Sequence, residues 1–271
     1  MNLTKNIRVE TKLRGANVGF IFTEDGVVMI DSPLVPSQTL ALKKEVQKRG
    51  TIKYLINTEP HEDHFTGSFF IGCTAVAHQK AREDMLVFDI ARLKQMVSME
   101  NAEDLPLMEG YRINIPTITF SNSLTLYLGK HTFNLFHMPG HSAGQTAVFV
   151  PEERVVFTGD NITYQISGFL HEADPDSWLN SLKRIGDLEV DYIVGGHGEV
   201  CDKSYLPIQA KYVQTCVETV KQAVDKGWTK QEAVARVVWP NYLPLHEGSE
   251  PVAPMLNRLA IENLYDRLSR K

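Results

Sequence analysis

"NVGFIFTEDGVVMIDS", residues 17–32, reads as two apolar runs, "GFIF" and "VVMI", joined by the turn "TEDG" and closed by Asp31. Apolar runs of this length around an Asp-Gly turn are the signal of a β-hairpin. "SQTLALKKEVQKRG" follows at 37–50, and Ser37 as a cap with Gly50 as a stop predicts a helix. "IKYLIN" (52–57) is then continuously apolar, as expected of a strand covered on both faces.

The same order recurs later in the chain. "QTAVFVPEERVVFTGD", residues 145–160, is again strand, acidic turn and strand, ending on Asp160. A second helix signal, "DSWLNSLKRIGD" (176–187), follows it, and "VDYIVGGH" (190–197) aligns without gaps to "IKYLINTE" (52–59). Two related α/β halves, about 10–80 and 122–200, are therefore expected. Packed face to face with helices outside, they make an α/β fold: a four-layer α/β/β/α sandwich of two mixed sheets. Residues 86–121 break the pattern, first helix-like in "FDIARLKQMVSME", then extended and proline-interrupted, and read as an insertion or lid. From 201 to 271 apolar positions recur every three or four residues, with Gly227 as a stop, which predicts C-terminal helices laid against the sheet. The whole chain, 1–271, reads as a single domain.

Bulk properties narrow the function. A net charge of −5 over 271 residues argues against nucleic-acid binding through a broad basic face. No run approaches the roughly 18 apolar residues of a membrane helix. The start, "MNLTKNIRVETK", lacks the apolar stretch of a secretory signal. Cys73, Cys201 and Cys216 have no paired spacing, which fits reduced thiols in a cytoplasmic protein. The expected partner is a small molecule, neither nucleic acid nor membrane, and a homodimer is allowed.

The internal alignment sets Glu59 where the second half has His197. Both follow an apolar strand, and α/β sheets gather ligands at the carboxyl ends of strands. Glu59 opens "TEPHEDHFTGS" (58–68), which also carries His61, Asp63 and His64. His141 stands in "FHMPGHSAGQT", Asp160 in "VVFTGDN" and His197 in "IVGGHG", each after a strand-like run. Seven nitrogen and oxygen donors without a thiolate suit two divalent first-row cations with room for water or substrate. Cys201, four residues after His197, is a weaker eighth candidate. His78, His131 and His246 read as surface or packing residues, and His137 as core.

The loop, "MPGHSAGQT", "TGD" and "GGHG" in this order resemble the metallo-β-lactamase-fold superfamily over about residues 10–200. The resemblance implies a first site of Glu59, His61 and His141, a second of Asp63, His64 and His197, and Asp160 bridging two metal ions. Asp31 matches an aspartate that is usually buried and organises such sites, while Tyr164 and His171 fall on a segment bordering the substrate pocket. A metal-bound hydroxide attacking a small ester-like substrate is the implied reaction, with Asp63 and Asp160 handling the proton. Lactone, thioester, β-lactam, sulfate ester and phosphodiester all remain open. The family usually has histidine where Glu59 stands. A carboxylate there either ligates and tilts preference from zinc toward iron or manganese, weakens the first site, or leaves it degenerate; the internal alignment favours ligation. The rival readings are an iron-dependent oxygen or redox enzyme on the same fold and a catalytically silent metal- or ligand-binding protein.

Overall fold

Thr23 sets the first reversal of the chain. Its hydroxyl accepts the Asp25 N–H and donates to the Gly26 carbonyl, so Glu24 and Asp25 form a two-residue turn and Gly26 already belongs to the next strand. The structure, a computed structural model, describes residues 1–270. Its first sheet holds β1 (Ile7–Glu10), β2 (Val18–Thr23), β3 (Gly26–Ile30), β4 (Ile52–Ile56), β5 (Thr74–His78) and β6 (Ile118–Phe120), in that order. The second holds β7 (Ser123–Leu128), β8 (His131–His137), β9 (Thr146–Val150), β10 (Val155–Phe157) and β11 (Tyr192–Val194), ordered 11-10-9-8-7. Both sheets are mixed: β3 to β6 run parallel, as do β10 and β11, and the other pairs are antiparallel.

The repeated sequence pattern has a repeated topology. β2 and β3 pair antiparallel, α1 (Pro36–Val46) crosses over, and β4 returns parallel to β3. β9, β10, the helix Pro175–Gly186 and β11 do the same in the second sheet. Parallel return after a helix follows from the crossover such strands need. The sheets meet through Ile21, Val28, Ile56 and Val76 on one side and Phe133, Leu135, Val148 and Val155 on the other. Each such apolar side chain, fully buried, contributes about 1.5–3 kcal/mol.

Short helices α2 (Glu62–Phe65) and α3 (Ser68–Ile71) follow β4, and α4 (Gln79–Leu86) and α5 (Ile90–Glu100) follow β5. α6 is Pro175–Gly186; α7 (Leu206–Asp225), α8 (Lys230–Arg236) and α9 (Ala253–Leu268) complete the chain. Outside the first sheet, Leu42 and Val46 of α1 cover Phe20, Met29 and Leu55. Outside the second, Trp178, Leu182, Tyr212, Val220 and Ile261 from α6, α7 and α9 cover Val156 and Ile193. The four layers expected from the sequence are therefore present.

Three local expectations are corrected. Ser37 does not cap α1; the helix starts at Pro36, and the Ser37 N–H donates to Asp104 Oδ2 at 2.6 Å. The stretch 105–120 expected to be extended begins instead in a 3-10 helix, Ala102–Met108, and only its end, Ile118–Phe120, is a strand, the edge strand β6. His137 is half-buried rather than core, stacked on His78 with ring centroids 3.8 Å apart. His78 and His131 are buried, the one bonded to the Ser121 carbonyl and the other to Glu153.

Candidate metal centre

All seven donors sit at one edge of the sandwich, beyond the carboxyl ends of strands. Glu59 and His61 follow β4, with Asp63 and His64 in α2; His141 follows β8, Asp160 follows β10 and His197 follows β11. Two backbone hydrogen bonds stitch the sheets together just below them, Thr146 N–H to the Thr58 carbonyl (2.7 Å) and Asn17 N–H to the Gly196 carbonyl (2.6 Å). Pro60 keeps the loop from continuing as either strand or helix until His61, the residue just before α2. Gly196 has to be glycine, because a Cβ there would collide with Asp160 Oδ1.

The donors fall into two groups that share a centre. Glu59 Oε2 lies 2.5 Å from His61 Nδ1 and 3.6 Å from His141 Nε2. His197 Nε2 lies 3.2 Å from Asp63 Oδ2, and His64 Nε2 is 4.0 Å from the same oxygen. Asp160 stands between the groups. Its Oδ1 is 3.3 Å from His64 Nε2 and 3.4 Å from His197 Nε2, while its Oδ2 is 3.6 Å from His141 Nε2. Within each group one donor atom per residue fits inside 4.8 Å, the span a single cation can bridge.

Supporting hydrogen bonds decide which atoms face inward. Asp31, buried and with φ at +54°, accepts the Thr58 N–H (2.7 Å) and hydroxyl (2.6 Å), and its Oδ2 lies 3.0 Å from His64 Nδ1. Nδ1 thus faces the carboxylate and Nε2 faces the cluster, the usual way a buried carboxylate orients a ligating imidazole. Glu59 Oε1 accepts from Gln145 Nε2 (3.0 Å) and the Asp160 N–H (2.9 Å), which leaves Oε2 for the first group. Asn161 accepts the His141 N–H at 3.0 Å, and its own backbone carbonyl is held by Trp178 Nε1 at 2.9 Å.

The charges are strongly coupled. Burial opposes the Glu59 charge, yet His64, His141 and His61 hold its pKa down to about 2 against repulsion from Asp160. Burial likewise opposes ionisation of Asp63 and Asp160, and the facing imidazoles lower both. Desolvation resists a proton on His197, but Asp160 and Asp63 lift its pKa to about 10. Against the same penalty, Glu59, Glu172 and Glu62 raise His61, and Glu59, Asp63, Asp31 and Asp160 raise His64, while burial keeps His141 low. A field that draws protons onto three imidazoles is one that divalent cations satisfy more fully.

The fit to metal rests on buried atoms without hydrogen-bond partners. Glu59 Oε2, His64 Nε2 and Asp160 Oδ1 are all buried and unbonded, and all three face the cluster. Each such orphan costs about 1–3 kcal/mol unless something compensates it. Three of them converging with four further nitrogen and oxygen donors fit two cations.

Other candidates fall at graded distances. The His171 ring stacks on His61 with centroids 5.5 Å apart, and burial beside His61 and His141 lowers its pKa to about 3. Tyr164 donates its backbone N–H to the His197 carbonyl, but its ring packs on Tyr205 at 4.7 Å. Cys201 pairs its backbone with Ile193 and belongs to none of the donor groups, and burial pushes its thiol up to about 12. Sequence reasoning missed Gln145, Asn161 and Glu172, whose Oε2 reaches to 3.6 Å from His61 Nε2. It also misplaced His246, whose ring lies 4.6 Å from that of His197. A cleft of about 500 Å³ lined by Lys53, Cys73 and Asn114 lies at the opposite, amino ends of β4 and β5, away from these donors.

Known proteins share this arrangement of elements. The chain is 27% identical over 227 residues to metallo-beta-lactamase type 2 of Elizabethkingia meningoseptica, covering 80% of this chain and 78% of that one. It is 29% identical over 91 residues to a hydroxyacylglutathione hydrolase of Bartonella quintana, 34% of each chain. A metallo-beta-lactamase family protein of Thermus thermophilus superposes with a TM-score of 0.70 at 16% identity, over 98% of this chain and 95% of that one. A sec-alkylsulfatase of Pseudomonas sp. gives 0.71 at 17% identity, over 98% of this chain and 49% of that one. The metallo-beta-lactamase superfamily model itself matches residues 11–197, which takes in β2 to β11 and all seven donors. The chain belongs to the metallo-beta-lactamase superfamily.

Proposed function

We propose that this chain is a binuclear metal-dependent hydrolase of a small ester-like substrate. One observation carries the reading: two three-donor groups, each sized for one cation, share Asp160 between them. Glu59, His61 and His141 would hold one ion, Asp63, His64 and His197 the other. Bound cations supply a polarised water and a Lewis acid for the substrate oxygen. The chain's own side chains do the remaining work. Asp63 and Asp160, the more accessible of the clustered carboxylates, hold and relay the proton that water gives up. Asp31 keeps His64 turned inward, and Asn161 and Trp178 fix His141. His171, stacked on His61, is placed to touch substrate, and Tyr164, bonded through its backbone to the His197 carbonyl, would border the same pocket.

The relatives' names span a β-lactamase, a hydroxyacylglutathione hydrolase and a sulfatase, which supports hydrolysis as the common chemistry and leaves the substrate class open among them. Zinc suits the four imidazoles. The Glu59 carboxylate favours a harder ion, which makes an iron or manganese centre, and with iron an oxygen-linked reaction, the second reading. Elemental analysis of protein purified without added metal, paired with a lactone, thioester, β-lactam, sulfate-ester and phosphodiester panel, tests both. About two zinc or manganese ions per chain with turnover on one class supports the hydrolase. Iron with oxygen consumption and no hydrolysis replaces it with the redox enzyme. Metal well below one ion per chain, with no turnover, removes both.

A further inference from the structure

His246 lies on the connection between α8 and α9, 49 residues beyond the last donor, yet its ring tilts at 59° over His197. It is half-buried and feels His197, Asp63, Asp160 and Arg14. It belongs to none of the donor groups. The segment that carries it is fastened from three sides. Trp239 and Leu243 pack into the helical layer. Ser167 donates its N–H to the Pro244 carbonyl (2.8 Å) and its hydroxyl to the Leu243 carbonyl (2.7 Å). Arg14 reaches Glu247 Oε1 at 3.5 Å and, from the other side, Glu100 of α5 at 3.5 Å. Gly248, at φ +88°, lets the turn pass against that guanidinium, where a Cβ would stand 3.2 Å from Nη1.

A surface loop with no role in the site needs neither this clasp nor an imidazole aimed at a donor. We propose that residues 240–250 form a wall of the active site beside the Asp63–His64–His197 group, in which His246 contacts substrate and sets specificity, and that Arg14 holds the wall against the insertion. His171, stacked on His61, stands beside the other donor group in the same way, although with His61 and Glu172 it also makes up a donor group of its own. An imidazole there can accept or donate a hydrogen bond to the part of the substrate that extends past the reacting bond. This inference rests on the metal-dependent reading.

The test uses zinc-loaded protein and two thiol probes, mercaptoacetate and 2-benzyl-3-mercaptopropionate. Both anchor through sulfur, and only the second carries a tail long enough to reach the wall. In His246→Ala the benzyl probe should lose about tenfold in affinity by calorimetry, with mercaptoacetate within about twofold. His246→Gln, which keeps a hydrogen-bonding group, should recover part of that loss. Zinc content and Tm should stay at the wild-type values. Arg14→Gln should speed cleavage after Glu247 by a glutamate-specific protease, and the benzyl probe should slow it. Equal binding of both probes to wild type and His246→Ala overturns the wall, and so does loss of a zinc ion in His246→Ala, which would make His246 a ligand. If wild type itself holds no metal, the hydrolase reading falls and takes the wall with it. If it holds metal and the two probes are not distinguished, the wall alone falls.

Discussion

Glu59 differs from the histidines around it in having two equivalent acceptors, one spent on support and one free. Oε1 is held by Gln145 and the Asp160 N–H, and Oε2 faces His61 and His141. Glu59→Gln keeps the shape but must turn an NH2 either toward two N–H donors or toward the cation. We expect a loss of about 10–100-fold in affinity at the first position and a fall in stoichiometry from two ions toward one after dialysis. Unchanged stoichiometry by elemental analysis would remove Glu59 from the ligand set. Asp31→Asn probes the second position without backbone strain, because asparagine tolerates the left-handed φ of +54°. His64 loses the carboxylate that orients it, and affinity there should also drop about 10–100-fold in a chelator competition. The seven candidate donors were legible because Glu59, His61, Asp63 and His64 crowd one loop, and His141, Asp160 and His197 stand beside glycines after apolar runs. Gln145, Glu172 and His246 were not, since their roles come from contacts across 86, 111 and 49 residues that no local spacing encodes.

Elements were legible where a local rule acts alone. α6 obeys several at once: Asp174 accepts the Ser177 N–H, Pro175 opens the helix, and Lys183 and Arg184 stand in its last turn. Asp174→Ala should cost about 1 kcal/mol in a denaturant titration, the lost Arg267 pair adding little because it is half exposed. Metal content should not change; if it does, the helix start governs the Trp178–Asn161–His141 chain more tightly than its hydrogen bonds indicate. α1 shows the opposite case. Ser37 has the right chemistry for a cap, but the insertion's Asp104 takes its N–H and the helix begins two residues earlier, at Pro36. Tertiary partners, invisible in a linear window, overrode the local preference. The 3-10 helix at Ala102–Met108 was missed for the same reason. Its buried Met108 packs with Leu34, Phe65 and Leu93, contacts supplied by three other segments.

Besides their shared apolar core, the two halves of the molecule are tied by hydrogen bonds at the donor cluster and at the opposite end of the sandwich. There Glu153, in the turn between β9 and β10, takes hydrogen bonds from Thr4, from Asn6 Nδ2 (2.6 Å) and from His131 Nε2 (2.9 Å). The chain ahead of β1 is thereby tied to the second sheet. No sequence pattern announces this tie, because all three partners are ordinary surface residue types. Burial opposes the Glu153 charge, but the bonds from Thr4, Asn6 and His131 outweigh it and hold the carboxyl below its usual range. A carboxylate whose pKa is lower folded than unfolded adds stability above the unfolded value, near 4.3. That contribution is lost as the pH falls through the folded value. Glu153→Gln should therefore cost about 1–2 kcal/mol at pH 7, a Tm drop of roughly 2–8 °C for a chain of this size. The gap between variant and wild type should narrow steadily below about pH 4. A gap that stayed constant from pH 7 to 3 in thermal melts would mean that the tie depends on shape alone and that the carboxylate charge contributes nothing to joining the halves.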